Sequence, residues 1–173
     1  LPNTAGPTVT VDFMGLNATD SRTLQCITDA LNRVSQAPNV FPIQRTILPD
    51  IAFFETAEVT IAFVDDTGIQ ELNKTWRDKD RATDVLSWPA VNIDEPIEAF
   101  LGDIAISLDT AARQAATRQW DLADEVSLLA VHGFLHLLGH DDDEDDDAAR
   151  MRTLERFAVG KPLTLNGDDN AEA

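Results

Sequence analysis

A histidine pair followed by a glycine and an acidic residue is the part of this sequence most suited to chemistry. His132 and His136 lie four residues apart in an apolar segment, Gly139 follows three residues later, and Asp142 follows after three more. Side chains at positions i and i+4 share one face of a helix, about 6 Å apart at Cβ, so both imidazoles can reach one metal ion. A glycine just past the helix can turn the chain and bring the carboxylate to the same ion. The spacing therefore predicts a metal site built from one helix and the turn that ends it.

Two imidazoles and one carboxylate favour a single zinc ion, although another divalent metal is possible. Zinc accepts both ligand types, and its catalytic sites combine three protein ligands with a water. The same ligand set describes non-haem iron sites, which makes iron the competing ion. Asp141 and Asp143 are alternative carboxylate ligands, whereas a helix that ends at Gly139 should point His140 elsewhere. Without a metal, each histidine would simply bond to a backbone carbonyl in the core, but the combined spacing favours the metal site.

The pattern is similar to the metzincin protease signature, with one difference. In that signature the residue after the first histidine is a glutamate that serves as general base. Gly133 occupies this position here, so peptide hydrolysis by that route is disfavoured. A zincin-like metalloprotease therefore stays only as a minor alternative.

A second segment, residues 72–89, concentrates positive charge in a chain that has little of it. It contains four of the thirteen basic residues: Lys74, Arg77, Lys79 and Arg81. Arginine binds phosphate in bidentate geometry, and Arg77 is the residue expected to act on substrate. Lys79 and Arg81 could instead pair with the neighbouring aspartates. Trp76 and Trp88 could stack on bases, but both are expected in the core.

Hydrophobic periodicity predicts a mixture of strands and helices around these motifs. A segment apolar almost all round, residues 121–138, predicts a buried central helix that carries the histidines, with Asp121 and Asp124 placed as in a capping box. The strands and helices do not alternate strictly, so we expect an α+β fold with a small mixed sheet of about four strands. Residues 1–173 are expected to form one domain, with 166–173 as a loose tail. The other expected elements are strands near 9–13, 59–64, 83–88 and 104–107, and helices from 19 or 20, from 65 with Ile69, Leu72 and Trp76 inward, over 109–116 and over 147–159.

Composition limits the classes of function and partner. The formal net charge is −18, which is opposite in sign to that of most proteins that bind nucleic acid through phosphates. The acidic residues are spread along the chain, which favours adaptation to a salty cell interior over a basic partner. Cys26 is the single cysteine, and neither a secretory signal nor a membrane span is evident. A cytoplasmic protein is expected.

Three blocks in order resemble the YbeY family of endoribonucleases that mature ribosomal RNA. The first runs from Leu72-Asn73 through Trp76-Arg77 and Lys79-Asp80 to Thr83-Asp84-Val85-Leu86-Ser87-Trp88-Pro89. The second is Gly102-Asp103-Ile104-Ala105-Ile106-Ser107, and the third is His132-Gly133-x-Leu135-His136-Leu137-x-Gly139-x-Asp141.

The resemblance implies a metal-dependent, single-strand-specific endoribonuclease that acts in 16S rRNA 3′-end maturation and in ribosome quality control. Its partners would be ribosomal RNA and the small ribosomal subunit or its associated proteins. By resemblance Arg77 falls on a functionally important arginine of the family. The family motif ends in Asp-His with the histidine as third ligand, and Asp142 stands in its place here. An assembly factor that binds metal for stability and cleaves nothing is the alternative.

Overall fold

The computed structural model describes residues 6–15, 19–37, 40, 56–90 and 100–161. It confirms the predicted α+β fold. The helix and strand bounds differ from the predicted ones by at most four residues at either end. In chain order the elements are β1 (Thr8–Gly15), α1 (Ser21–Ser35), β2 (Thr56–Val64), α2 (Asp66–Arg77), β3 (Val85–Pro89), β4 (Phe100–Ser107), α3 (Leu108–Arg118), α4 (Leu122–Leu137) and α5 (Asp145–Val159).

The four strands form one mixed sheet in the order β1-β2-β4-β3. β1 and β4 both pair with β2 in parallel, whereas β3 runs antiparallel to β4. Alternate side chains of β2 point to opposite faces of the sheet, and its four most buried residues follow that period: Ala57, Val59, Ile61 and Phe63. The predicted small mixed sheet of four strands is therefore confirmed.

The backbone of β1, an edge strand of the sheet, forms hydrogen bonds with a side chain of α1. The amide oxygen of Asn32 accepts from the backbone N–H of Val9 at 2.8 Å, and the Asn32 amide nitrogen donates to the Val9 carbonyl at 3.0 Å. The same nitrogen donates to Thr28 O one turn earlier in the helix. Asn32 thus satisfies both backbone groups of Val9 on the side that faces away from β2.

Helix α4 is the central helix that the apolar segment predicts. Its backbone contacts α1, α3, α5, β3 and β4, and Val126, Ala130, Val131, Phe134 and Leu135 are inaccessible to solvent. A helix surrounded by other elements must be apolar on every face. The surrounding elements therefore fix the position of the two histidines near its carboxyl end.

Two local predictions are wrong. Trp76 is 64 % exposed rather than inward, because α2 lies against the sheet with Ile69 and Asn73, one helical turn apart, as its buried residues. No capping box forms at the start of α4. The Asp121 carboxylate instead pairs with Arg22 at 3.3 Å, and Asp124 pairs with Lys161.

Two further expectations concern the extent of the chain. Residues 166–173, expected as a tail, lie outside the described residues, and the assignment of 1–173 to one domain stays a prediction. Among the helices that the structure describes, none combines the length and the hydropathy needed to cross a bilayer.

Candidate metal centre

The turn after α4 redirects the chain as the position of Gly139 predicts. Gly139 has a φ of 90°, a conformation in which a Cβ would be strained. The N–H of Gly139 donates to His136 O at 3.0 Å, and the N–H of His140 donates to Leu135 O at 3.0 Å. These two bonds define a Schellman motif, which ends a helix and satisfies its last carbonyls. The turn brings Asp142 back beside the helix end.

The two histidines meet at the carboxyl end of α4. Their Nε2 atoms lie 3.0 Å apart, and the rings pack edge to face with centroids 4.6 Å apart. The His132 side chain is 22 % exposed and that of His136 is 29 % exposed. Both rings are therefore partly shielded from water but reachable from one side.

Asp142 is the carboxylate that joins this pair. Its Oδ2 lies 3.8 Å from His132 Nε2, and its Oδ1 lies 3.9 Å from His136 Nε2. Within the described ranges, ligand atoms of these three residues all lie within 4.8 Å of one another. Asp141 and Asp143 form a second, exposed carboxylate group with Asp142 but do not join the histidines. The arrangement favours Asp142 among the candidate carboxylates.

The spacing of these donor atoms suits a zinc-sized cation. Ligands at the usual bond lengths of tetrahedral zinc lie about 3.3 Å from one another. The separation of 3.0 Å between the two Nε2 atoms is close to that value. Asp142 approaches the two nitrogens with different oxygens, at 3.8 and 3.9 Å, so its carboxylate would have to move inward by at least about 0.5 Å. This side chain is 39 % exposed, so it has room to adjust.

Hydrogen bonds to the far nitrogens orient both rings. Nδ1 of His132 donates to Glu155 Oε1 at 2.7 Å, and Nδ1 of His136 donates to the carbonyl of His140 at 3.0 Å. A carbonyl can only accept, so Nδ1 of His136 carries a proton, and Nδ1 of His132 carries one when it donates to the Glu155 carboxylate. The His140 side chain points elsewhere, as expected, and donates from Nε2 to Val40 O at 2.7 Å. Both Nε2 lone pairs are thus directed at the shared point.

The surroundings shift the pKa values of the two histidines in opposite directions. Burial by itself lowers the pKa of His132, but the hydrogen bond and negative charge of Glu155, with Asp142, raise the pKa above its ordinary value. Burial lowers the pKa of His136, and repulsion from His132 lowers this pKa further. Two bare Nε2 atoms at 3.0 Å repel each other unless a cation lies between them. A proton held mainly by His132 can take that place, and so can a metal ion.

The histidines open onto a groove of about 600 Å³ that basic side chains also line. Its lining includes the basic side chains of Arg77, at the end of α2, and of Lys79 and Arg81, just after it, together with four aspartates. Arg77 is exposed, and its Nη2 donates to Ser87 O of β3 at 2.8 Å, which leaves other N–H groups of the guanidinium for a ligand. Lys79 and Arg81 do not pair with Asp80, which bonds to Lys74 at 3.6 Å instead. The structure thus brings three cationic side chains to the same groove as the histidines.

Gly133 sets the distance between α4 and the sheet. A Cβ at this position would lie 3.0 Å from Cγ2 and 3.3 Å from Cδ1 of Ile104, which is itself 1 % exposed. A glutamate here, as in metzincins, would therefore press into β4. Gly133 thus stands where metzincins have their general base, and it is also the residue that lets the helix approach the sheet.

Sequence reasoning missed two residues: Glu155, which supports a histidine, and Asp84, which lines the groove. Glu155 lies 23 positions after His132 on α5, and the available signal was an acidic residue on the same face as Met151 and Ala158. Asp84 lines the groove, where its carboxylate accepts from the Val85 N–H at 2.8 Å and from Gln114. Asp84 belongs to the second motif, but nothing in the spacing placed it near the histidines.

Sequence comparisons identify the relatives of this chain. A family model described as Endoribonuclease YbeY matches residues 23–161. Endoribonuclease YbeY from Myxococcus xanthus is 48% identical over 106 residues, which cover 60% of this chain and 36% of the relative. The chloroplastic Endoribonuclease YBEY of Arabidopsis thaliana is 42% identical over 129 residues, which cover 73% of this chain and 22% of the relative. The match to the Bradyrhizobium diazoefficiens protein covers 57% of each chain at 44% identity. The chain thus spans between about a fifth and three fifths of these relatives.

A solved structure shares the fold. The solution structure of TM1509 from Thermotoga maritima matches with a TM-score of 0.53 and covers 87% of this chain and 90% of its own, at 21% identity. At that identity the likeness supports the architecture alone. The family model, which spans most of the chain including both groove motifs, supports more: this chain belongs to the YbeY family.

Proposed function

We propose that this chain is a zinc-dependent endoribonuclease that cuts single-stranded RNA. The proposed role is maturation of the 3′ end of 16S rRNA and ribosome quality control, in the cytoplasm. The matched relatives carry the name endoribonuclease, and the resemblance of the motifs favours ribosomal RNA as substrate. One observation carries the proposal: two imidazoles and a carboxylate converge in a groove that three basic side chains also line.

His132, His136 and Asp142 would hold one divalent ion, with zinc as the first expectation. Bound there, the ion would polarise a phosphoryl oxygen and lower the pKa of a bound water to give a nucleophile near neutral pH. Three protein ligands leave a coordination position open, as hydrolytic sites require, whereas structural sites are closed by four. The side chain of His140, turned away toward Val40, does not fill that position.

Arg77 would bind the scissile phosphate and neutralise the charge that develops on it. Its bond to Ser87 O fixes one edge of the guanidinium against β3, so the group is oriented before substrate arrives. Preorganised donors aimed at developing charge are among the largest contributions to catalysis. Lys79 and Arg81 line the same groove and would hold neighbouring phosphates.

The chain's own carboxylates offer candidates for moving a proton. Asp141 is exposed and accepts two backbone N–H groups through Oδ1 alone. Asp84 has each oxygen engaged by at least one donor. Asp141 is therefore the better placed of the two to accept a proton from water.

The net charge of −18 argues that RNA needs help to reach this groove. Repulsion between an acidic surface and a polyanion weakens unassisted binding, and salt screens it. We propose that the small ribosomal subunit or a protein bound to it presents the RNA. Cleavage should consequently be stronger on subunit-bound RNA than on the same RNA alone.

A direct test uses the purified chain loaded with Zn²⁺ and end-labelled RNA, single-stranded or duplex, with and without small subunits. Wild type should cut single strands. His132→Ala and His136→Ala should abolish cleavage and lower zinc content, and Arg77→Ala should slow cleavage by roughly 10²-fold or more, the effect of losing one transition-state donor.

Lys74→Ala serves as the matched control, because Lys74 is an exposed cation on α2 that does not line the groove. It should cut at the wild-type rate. Cleavage retained by a metal-free double histidine variant would refute the nuclease proposal. Zinc that stabilises the wild-type chain without any cleavage, even on subunits, would favour the assembly factor instead.

A further inference from the structure

Glu155 is a buried carboxylate that touches the candidate metal centre from outside the groove. Its side chain is 9 % exposed, and Oε1 lies 2.7 Å from Nδ1 of His132. Glu155 is absent from the groove lining, so it has no direct path to substrate. Its contact with the centre runs through the imidazole alone.

Glu155 lies on the buried face of α5 and not on its solvent-exposed surface. Met151, Glu155 and Ala158 follow one another at helical spacing and are all buried, on the face that α5 turns toward α1 and α4. A charge on such a face costs free energy unless it is paired or hydrogen-bonded. The bond to His132 supplies that partner, which ties the placement of the charge to the histidine.

We propose that Glu155 is a positioning residue that keeps the proton of His132 on Nδ1 and directs its Nε2 at the metal. Outer carboxylates of this kind fix the tautomer of a ligating imidazole and increase its basicity toward the ion. The inference rests on the proposed metal centre and extends it from three ligands to a fourth residue that binds no metal.

The two histidines differ in how they are held, which makes the inference testable. His136 is oriented by the main-chain carbonyl of His140, which no side-chain substitution removes. His132 depends on a side chain. Removing the charge of Glu155 should therefore disturb the orientation of His132 alone and leave that of His136 unchanged.

The test measures Zn²⁺ affinity by competition with a chromophoric chelator in wild type and Glu155→Gln. The glutamine keeps the shape of the side chain but lacks the charge, and its NH₂ group can turn to Nδ1 and favour a proton on Nε2. We expect the Kd for Zn²⁺ to weaken by about 10–100-fold. Glu71→Gln, the same substitution at an exposed position of α2, should change the Kd less than twofold.

Nitrogen NMR of the imidazole groups distinguishes positioning from a structural role. Zn²⁺-loaded wild type should show His132 protonated at Nδ1 and bonded to metal through Nε2, a readout that needs no variant to fold. Metal bonded through Nδ1 of His132, or equal Kd values for wild type and Glu155→Gln, would overturn the inference while the centre stands. Failure of the wild-type chain to bind Zn²⁺ would overturn the centre and the inference together.

Discussion

The contact between Gly133 and Ile104 predicts an unusual response to a single added methyl group. Alanine in place of glycine in a helix interior stabilises by about 1 kcal/mol. Here the new Cβ would lie 3.0 Å from Cγ2 of Ile104, and insertion of a methyl group into a packed core costs about 1–3 kcal/mol. Ile104 is 1 % exposed on an interior strand and has little room to yield. We expect the cost to prevail, so that Gly133→Ala lowers the free energy of unfolding by about 1 kcal/mol, or Tm by about 2–4 °C.

A double-mutant cycle isolates that contact. Ile104→Ala removes all three of the atoms nearest to the new Cβ and should itself cost about 2–5 kcal/mol. In this background Gly133→Ala should become stabilising by about 1 kcal/mol, so the sign of its effect reverses. The coupling of about 2 kcal/mol falls within the range measured for residues in contact.

The assay is urea unfolding at fixed salt with a chelator present, so that metal binding contributes nothing. Ile106→Ala provides the control background, because Ile106 is buried in the same strand and is not among the nearest neighbours of the new Cβ. There Gly133→Ala should still destabilise. An equal effect of Gly133→Ala in all three backgrounds would refute the claim that this glycine sets the approach of α4 to β4.

Three other predictions concern the ligand, the pH and the salt. Asp142→Ala should weaken Zn²⁺ binding by more than the roughly 10–100-fold expected for an outer residue, whereas Asp142→His should retain it, both read by chelator competition. Burial raises the pKa of Asp66, but hydrogen bonds from Thr110, Ser107 and Arg113 outweigh it and lower the pKa overall. The stability that the Asp66 carboxylate contributes is therefore fully present above its unfolded pKa of about 3.9, and it is lost as the pH falls through the lower pKa of the folded state. Asp66→Asn should destabilise the protein at neutral pH and much less in strong acid, as followed by urea unfolding. Molar KCl should raise the unfolding midpoint of a chain of charge −18 by screening repulsion; full stability in dilute buffer would contradict salt adaptation.

Features that depend on neighbours in the sequence were predictable. The segment 121–138, apolar almost all round, located α4, and the glycine three residues after His136 located the turn that returns Asp142. These inferences need only helix geometry and the conformational freedom of glycine. The local basic cluster and the family resemblance both indicated Arg77, but no local pattern indicates its place in the groove beside the histidines.

Features that depend on how elements pack were not predictable. Trp76 fits an apolar helical stripe, yet α2 buries only a narrow face, so the ring stays in solvent. Asp121 has the side chain of a helix cap, but Arg22, 99 positions away, competes for its carboxylate. Glu155 belongs to the centre only because α5 packs beside α4. Each case turns on a partner that is distant in sequence.

The bonds between Asn32 and Val9 bear on how this protein behaves when it is concentrated. A strand at the border of a sheet offers its backbone to other chains and so invites association. Asn32 already occupies both groups of Val9, and a strand from another molecule would have to displace it. In molar salt, where like charges no longer keep molecules apart, the Asn32 amide would then be one of the remaining features that prevent edge-to-edge association of sheets.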